Sequence, residues 1–201
     1  MRPSIVNAGY RSTNYWVVSA GRRRLIVDLG WPGRIGALVA ALRRLDVPLA
    51  EVEYGVATHY HIDHAGCAED LKAYGMRLIV TPEQLEAMPR MAQWVEPGDG
   101  YTPITPRGTV VVPLAGSRAF LAPIGIHGEL VHTPGHSDDS ISLVLDSGEA
   151  FTGDLTRPGH ALPEDADVVD HSWRALVNRG TTMVFPGHGA AVPIAAIWPA
   201  R

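Results

Sequence analysis

The sequence of 201 residues holds a single cysteine, Cys67. An intramolecular disulfide is therefore excluded, and so is a zinc site built from thiolates, which needs several cysteines. No apolar run approaches the ~20 residues that a membrane-spanning helix requires, and residues 1–10 lack the apolar core of a secretory signal. Basic residues are in deficit: 17 Lys and Arg stand against 21 Asp and Glu, a formal charge of -4. A nucleic-acid binder normally carries a basic stripe, so nucleic acid is not an expected partner. These absences predict a cytoplasmic protein that works on a small molecule, without a membrane; they leave its oligomeric state open. The length suits one domain, 1–201, with a core large enough to fold alone.

What the chain does have is histidine in one place. His59, His61 and His64 stand with Asp63 inside six consecutive residues. Packing does not explain such a cluster, because histidines are rarely gathered in a core and a surface has no use for the spacing. A metal site does: imidazole suits zinc, iron, copper and nickel, and a carboxylate adds a harder, anionic oxygen. Residues 52–58 upstream alternate with period two and read as a strand, so the cluster begins where a strand ends, on a loop held by a rigid scaffold. Four ligand candidates in one loop, on adjacent side chains that point different ways, suggest more than one metal.

Around it, residues 14–19 and 24–28 read as a hairpin turning at 20–22, and 34–45 as an amphipathic helix with Ile35, Leu38, Val39, Leu42 and Leu45 inside. A short helix over 67–74, a strand over 77–80 and a helix start at Thr81-Pro82 follow. Residues 89–108 break the pattern with four prolines and three glycines; a loop of this length is usually functional or disordered. The second half is strand-rich: 109–115, 119–122, 124–132, 140–146 and 150–152. Residues 163–179 read as loop then helix, with Val168, Val169, Trp173, Leu176 and Val177 on one face, and a last strand spans 181–185. This is not the steady βα alternation of a doubly wound fold. Two mixed sheets with helices outside fit better.

Three later positions repeat the design of a polar ligand at a strand end: His136 after Pro134-Gly135, Asp154 after Gly153, and His188 after Pro186-Gly187. Small residues beside a ligand let backbone approach a metal, and proline stiffens the turn that aims the ring. With these in order, the chain resembles the metallo-β-lactamase superfamily over residues 14–189, and Asp28-Leu29-Gly30 resembles the first motif of that family. The resemblance implies an α/β fold, an αββα sandwich of two mixed β-sheets flanked by helices, with the site at one edge. It also implies that His59, His61 and His136 hold one metal and Asp63, His64 and His188 a second, with Asp154 bridging and Asp28 bonded to the metal-bearing loop.

The expected activity is that of a dinuclear zinc hydrolase, two Zn2+ per chain with Fe or Mn as substitutes. Hydroxide on the metals attacks a small activated acyl compound, a thioester, lactone or ester, while Asp63 and Asp154 handle protons as well as ligating. The bridging Asp154 resembles hydroxyacylglutathione hydrolases (glyoxalase II) and lactonases and lowers the β-lactamase reading. Only thirteen residues follow His188, too few for the glutathione-holding helices of full glyoxalase II, so a short form is implied. The alternative is a mononuclear iron persulfide dioxygenase, which shares the motif set. Trp94 and Tyr101 in the 89–108 loop are expected to wall the substrate pocket, with His160 near the substrate. His132 reads as a structural strand-end residue, His127 and His171 as ordinary polar positions, and Cys67 as a small apolar filler. The two acids Asp138 and Asp139 have no assigned role.

Overall fold

The computed structural model of the chain describes residues 3–198. It starts as an antiparallel meander, β1 (Ser4–Asn7), β2 (Trp16–Ala20) and β3 (Arg23–Val27). The β2–β3 hairpin turns at Gly21 and Arg22, and Gly21 takes the positive φ of 67° that a tight turn needs. From β3 onward the partners are parallel, which obliges the chain to cross over the sheet. Helix α1 (Ile35–Arg44) makes the first crossover, to β4 (Val52–Val56). The turns α2 (Ile62–Ala65) and α3 (Ala68–Lys72) lead to β5 (Arg77–Val80), and α4 (Ala87–Arg90) precedes β6 (Thr109–Val111). The six strands lie in chain order.

The second sheet follows α5 (Ser117–Leu121). It contains β7 (Gly128–His132), β8 (Ile141–Leu145) and β9 (Glu149–Gly153) as an antiparallel run. Helix α6 (Ala166–Val177) then carries the chain over to β10 (Met183–Pro186), parallel to β9, with β11 (Val192–Pro193) at the edge. Its order is β11-β10-β9-β8-β7.

The buried apolar side chains form three layers. Trp16, Val18, Leu25, Val27 and Val56 of the first sheet meet Leu130, Ile141, Leu143 and Phe151 of the second. On its other face the first sheet packs Val17, Ile26 and Leu78 against Leu38 and Leu42 of α1 and Leu71 of α3. The second sheet packs Val144, Ala150 and Val184 against Val169, Trp173 and Leu176 of α6. That is the expected αββα sandwich of two mixed sheets. No described helix is long and apolar enough to cross a membrane.

Several local expectations are corrected. Residues 119–122 are helical: Leu121 and Ile124 recur at helical spacing on the buried side, and a window of four residues is too short to separate that from alternation. Strands β1 and β11 carry little local signal in the sequence, because each is short and lies at the edge of its sheet. In α6, Val168 and Val177 point to solvent, and Ser172 takes the inner face with Val169, Trp173 and Leu176. Leu45 likewise sits outside the inner face of α1. Of the 89–108 stretch, Pro89 and Arg90 close α4, Met91–Trp94 add one turn, and the rest up to β6 is irregular. It is tied to α3: Thr105 donates to Glu69 from both its backbone N–H and its hydroxyl, at 2.9 Å each, Thr102 donates to Asp70, and Lys72 Nζ donates to Thr105 O at 2.7 Å.

Candidate metal centre

Every ligand candidate leaves the sandwich just beyond the C-terminal end of a strand. His59 to His64 follow β4, His136 follows β7, Asp154 is the residue after β9, and His188 stands two residues past β10. The strand ends meet at one edge, and their side chains converge. Donor atoms of His59, His61 and His136 form one group, and those of Asp63, His64 and His188 another, each within 4.8 Å. His59 and Asp154 also group with His64. His59 and His64 are fully buried, whereas the side chains of His136 and His188 are 29% and 40% exposed, so the cluster opens to solvent on their side.

Surrounding hydrogen bonds fix the ring tautomers. Asp28 is buried at the end of β3 with a φ of 65°, and its Oδ1 accepts from Thr58 N at 2.7 Å and Thr58 Oγ1 at 2.9 Å. The Thr58 hydroxyl proton is thereby committed, so at 3.1 Å His59 Nδ1 must be the donor, leaving Nε2 bare. Asp28 Oδ2 accepts from His64 Nδ1 at 2.9 Å, and Ser12 O accepts from His188 Nδ1 at 2.8 Å. Each of these rings spends its Nδ1 outside the cluster and aims Nε2 inward, the arrangement by which outer carboxylates and carbonyls orient histidines for a metal. His61 Nδ1 sits 3.0 Å from His59 Nε2 and 3.1 Å from His136 Nε2.

The carboxylates lie between the rings. Asp154 Oδ2 is 3.4 Å from His64 Nε2, 3.3 Å from His188 Nε2 and 3.8 Å from His136 Nε2. Asp63 Oδ2 is 3.3 Å from His64 Nε2 and 3.4 Å from His188 Nε2, and accepts from Thr13 Oγ1 at 2.9 Å. Burial pushes the Asp63 carboxyl upward, but His64 and the Thr13 bond outweigh it and bring it to about 2. Asp154 is also lowered, against its burial, by His64, His188 and His136. His64 loses basicity to burial but regains more from Asp28, Asp154 and Asp63, so it is held well above its ordinary value. His59 has no such partner; burial and the neighbouring imidazoles hold it well below.

This site suits a cation. His64 Nε2 and Asp154 Oδ1 are buried without a hydrogen-bond partner among the described residues, a costly state unless something else engages them. The two carboxylates and five imidazoles are the nitrogen and oxygen donors that zinc and iron take. Gly187 leaves room for the group: a Cβ there would collide with Asp154 Oδ1 and stand 2.7 Å from His64 Cε1.

Some supporting residues were not legible in the sequence. Asp139 Oδ2 accepts from Tyr60 N at 2.8 Å, across 79 residues, and so clamps the His59–His61 turn to the His136 loop. Asn14 Nδ2 donates to Pro186 O and Gly189 O, and Thr13 forms a bridge with His188. The first hairpin thereby grips the last ligand loop. Nothing local marks these contacts; only Asp beside a motif histidine was visible, without its partner.

The residues expected at the substrate are more dispersed. Trp94 is 63% exposed, and Tyr101 is half-buried against the α1 side of the first sheet. His160 is exposed in a single turn, Pro158–His160, its N–H donating to Arg157 O, and belongs to none of the donor groups. Residues 98–100 of the 89–108 loop line a cavity with Trp31 and Ile62. His132 Nε2 bonds Asp138 O at 2.7 Å, a structural contact at the end of β7. Cys67 is buried, its thiol donating to Trp31 O.

Residues 8–188 match the family model described as "Metallo-beta-lactamase superfamily". The chain belongs to the metallo-β-lactamase superfamily. Within it, this member is 28% identical over 187 residues to the Beta-lactamase-like protein 2 homolog of Drosophila melanogaster, covering 90% of this chain and 60% of that protein. It is 29% identical over 189 residues to the Atrochrysone carboxyl ACP thioesterase of Aspergillus fumigatus, covering 90% of this chain and 38% of the other. The chain thus spans less than two thirds of either relative. Among solved structures, a metallo-β-lactamase of Cronobacter sakazakii superposes with a TM-score of 0.71 at 21% identity, covering 94% of this chain and 78% of that one. That likeness concerns the fold.

Proposed function

We propose that this superfamily member is a metal-dependent hydrolase that cleaves a small thioester, using two zinc ions. His59, His61 and His136 would hold one, Asp63, His64 and His188 the other, and Asp154 would lie between them. The observation that carries the reading is the position of Asp154 Oδ2, within 3.8 Å of nitrogens from both groups. When bound, such ions polarise an acyl oxygen and lower the pKa of a coordinated water to roughly 7.

The chain's own residues supply the rest. Asp28, Thr58 and Ser12 hold three imidazoles in the tautomer that presents Nε2. Asp154 stays ionised, held so against its burial by His64, His188 and His136, and its carboxylate can handle a proton as well as ligate. Asp63 is held as a carboxylate by His64 and by the Thr13 hydroxyl. The more exposed His136 and His188 mark the side from which an acyl group enters. The thioester class is favoured by the thioesterase among its relatives, and a short glyoxalase II-like enzyme is one form of the same reading. A cytoplasmic place and a small-molecule partner belong to the proposal as well.

The test is metal analysis of protein purified without added metal, with a panel of thioesters, lactones, esters and β-lactams. Two zinc per chain and thioester turnover are expected. Asp154→Asn should fold normally and lose at least about tenfold in kcat, since the carboxylate between the groups is gone. One iron per chain with oxygen-dependent persulfide consumption would replace this reading with the dioxygenase.

A further inference from the structure

Next to the metal cluster lies a cavity of about 310 Å³ lined by Arg11, Trp31, Arg34, Ile62 and Asp99, with glycines on either side of Asp99. None of the ligand candidates lines it; the link to the cluster runs through Ile62, whose chain neighbours are His61 and Asp63, and through Trp31. Trp31 Nε1 donates to Thr13 Oγ1 at 3.3 Å, and that hydroxyl donates to Asp63 Oδ2 at 2.9 Å. One wall of the cavity is therefore two hydrogen bonds from a ligand candidate.

The charge in this cavity is unbalanced. Arg24, Arg118 and Arg179 each reach a carboxylate elsewhere on the surface, whereas Arg43, Arg44, Arg77, Arg107 and Arg157 make no ion pair among the described residues and lie outside this cavity. Among the described residues Arg11 and Arg34 reach none, although both line the cavity. The one acid present, Asp99, already accepts from Glu96 N at 2.8 Å, and α1 opens beside Arg34 with no acidic residue in its first turn. Arg11 sits in the two-residue turn between the bridged Tyr10 and Thr13, which holds it in place. Its φ of 56° is left-handed, an unfavourable region for a long side chain. Its guanidinium lies 5.6 Å from the ring centres of both Tyr10 and Trp31, which fixes where the charge sits. A turn that holds one guanidinium over two rings, with a second beside it and no carboxylate paired to either, is the pattern of an anion-binding group.

The geometry points to Arg11 and Arg34 as an anion subsite: the acyl substrate carries a carboxylate or phosphate group, remote from the bond that breaks, and this cavity takes it. The assignment rests on the hydrolase reading for the reaction, but not for the binding. Guanidinium pairs bind either oxyanion through charged, forked hydrogen bonds.

Two measurements on the zinc-loaded full chain test it. The first is calorimetric titration with desulfo-coenzyme A, a phosphate probe without a thiol, and with glutarate, a carboxylate probe. At least one should bind, and the one that does identifies the anion. Its affinity should fall by about tenfold or more in an Arg11→Ala/Arg34→Ala double variant. Equal affinity in the two proteins, or no binding of either probe to the native chain, would overturn the subsite. The second compares a neutral thioester with an acid-bearing thioester of the same acyl group. The ratio of their kcat/KM values should shift about tenfold against the anionic one in the double variant; an unchanged ratio overturns the subsite while leaving the hydrolase in place. Probe binding that depends on the arginines, in a chain that cleaves no thioester, would instead retain the subsite and sink the hydrolase.

Discussion

At Gly187 a missing side chain decides whether the last ligand loop can reach the others. With a Cβ blocked by Asp154 Oδ1 and close to His64 Cε1, Gly187→Ala must displace one of them. We expect zinc content below two per chain and kcat/KM lower by at least about tenfold, because misplacing a reacting group by an ångström costs that much or more; emission spectrometry and a thioester assay check both. Cys67 makes a different residue-scale prediction. Burial lifts its thiol from the ordinary 9.0 to about 12. The native state thus keeps a proton that the unfolded chain releases, so the advantage is whole below pH 9 and is lost as pH climbs toward 12. Urea titrations at pH 8 and 10.5 should show a larger loss of stability in the native sequence than in Cys67→Ala.

Among the elements, β2 does more than extend a sheet. Trp16 packs edge-on against Phe185 of β10 at 5.0 Å and donates from Nε1 to Pro186 O at 2.9 Å, so it joins the two sheets next to His188. Trp16→Ala should cost about 3–5 kcal/mol and Trp16→Phe nearer 1 kcal/mol, the hydrogen bond alone; denaturant midpoints distinguish them. The β2–β3 hairpin and the strand before His59 were legible because turn residues and alternation are local signals. Residues 119–122 misled because their few positions fit either period. Asp139 could be seen but not understood, since its partner, Tyr60 N–H, lies on another strand's end. The same holds for Asn14, read only as the start of a strand, and for Thr13 before it, until the fold brings residues 186–189 against them.

For the whole molecule, the motif spacing revealed which strand ends carry donors, and the alternation revealed two mixed sheets, but not which edge gathers the donors. That depends on strand order, a property of long-range pairing. The donors come from both sheets, so a bound metal ties the halves of the sandwich together and stabilises the folded state by mass action. With free metal at a hundred times its dissociation constant, stripping one ion removes about 2.7 kcal/mol, which lowers Tm by roughly 5–10 °C in a domain of this size; scanning calorimetry before and after chelation, with recovery on adding zinc, measures it. The grip of Asn14 on Gly189, across 175 positions, has a bearing on biosynthesis. A nascent chain on the ribosome can finish its first sheet and expose three histidines long before His188 is translated. Until then the pocket lacks its final wall, so an ion caught early has one side open to exchange, and secure loading must wait for the last strand to dock.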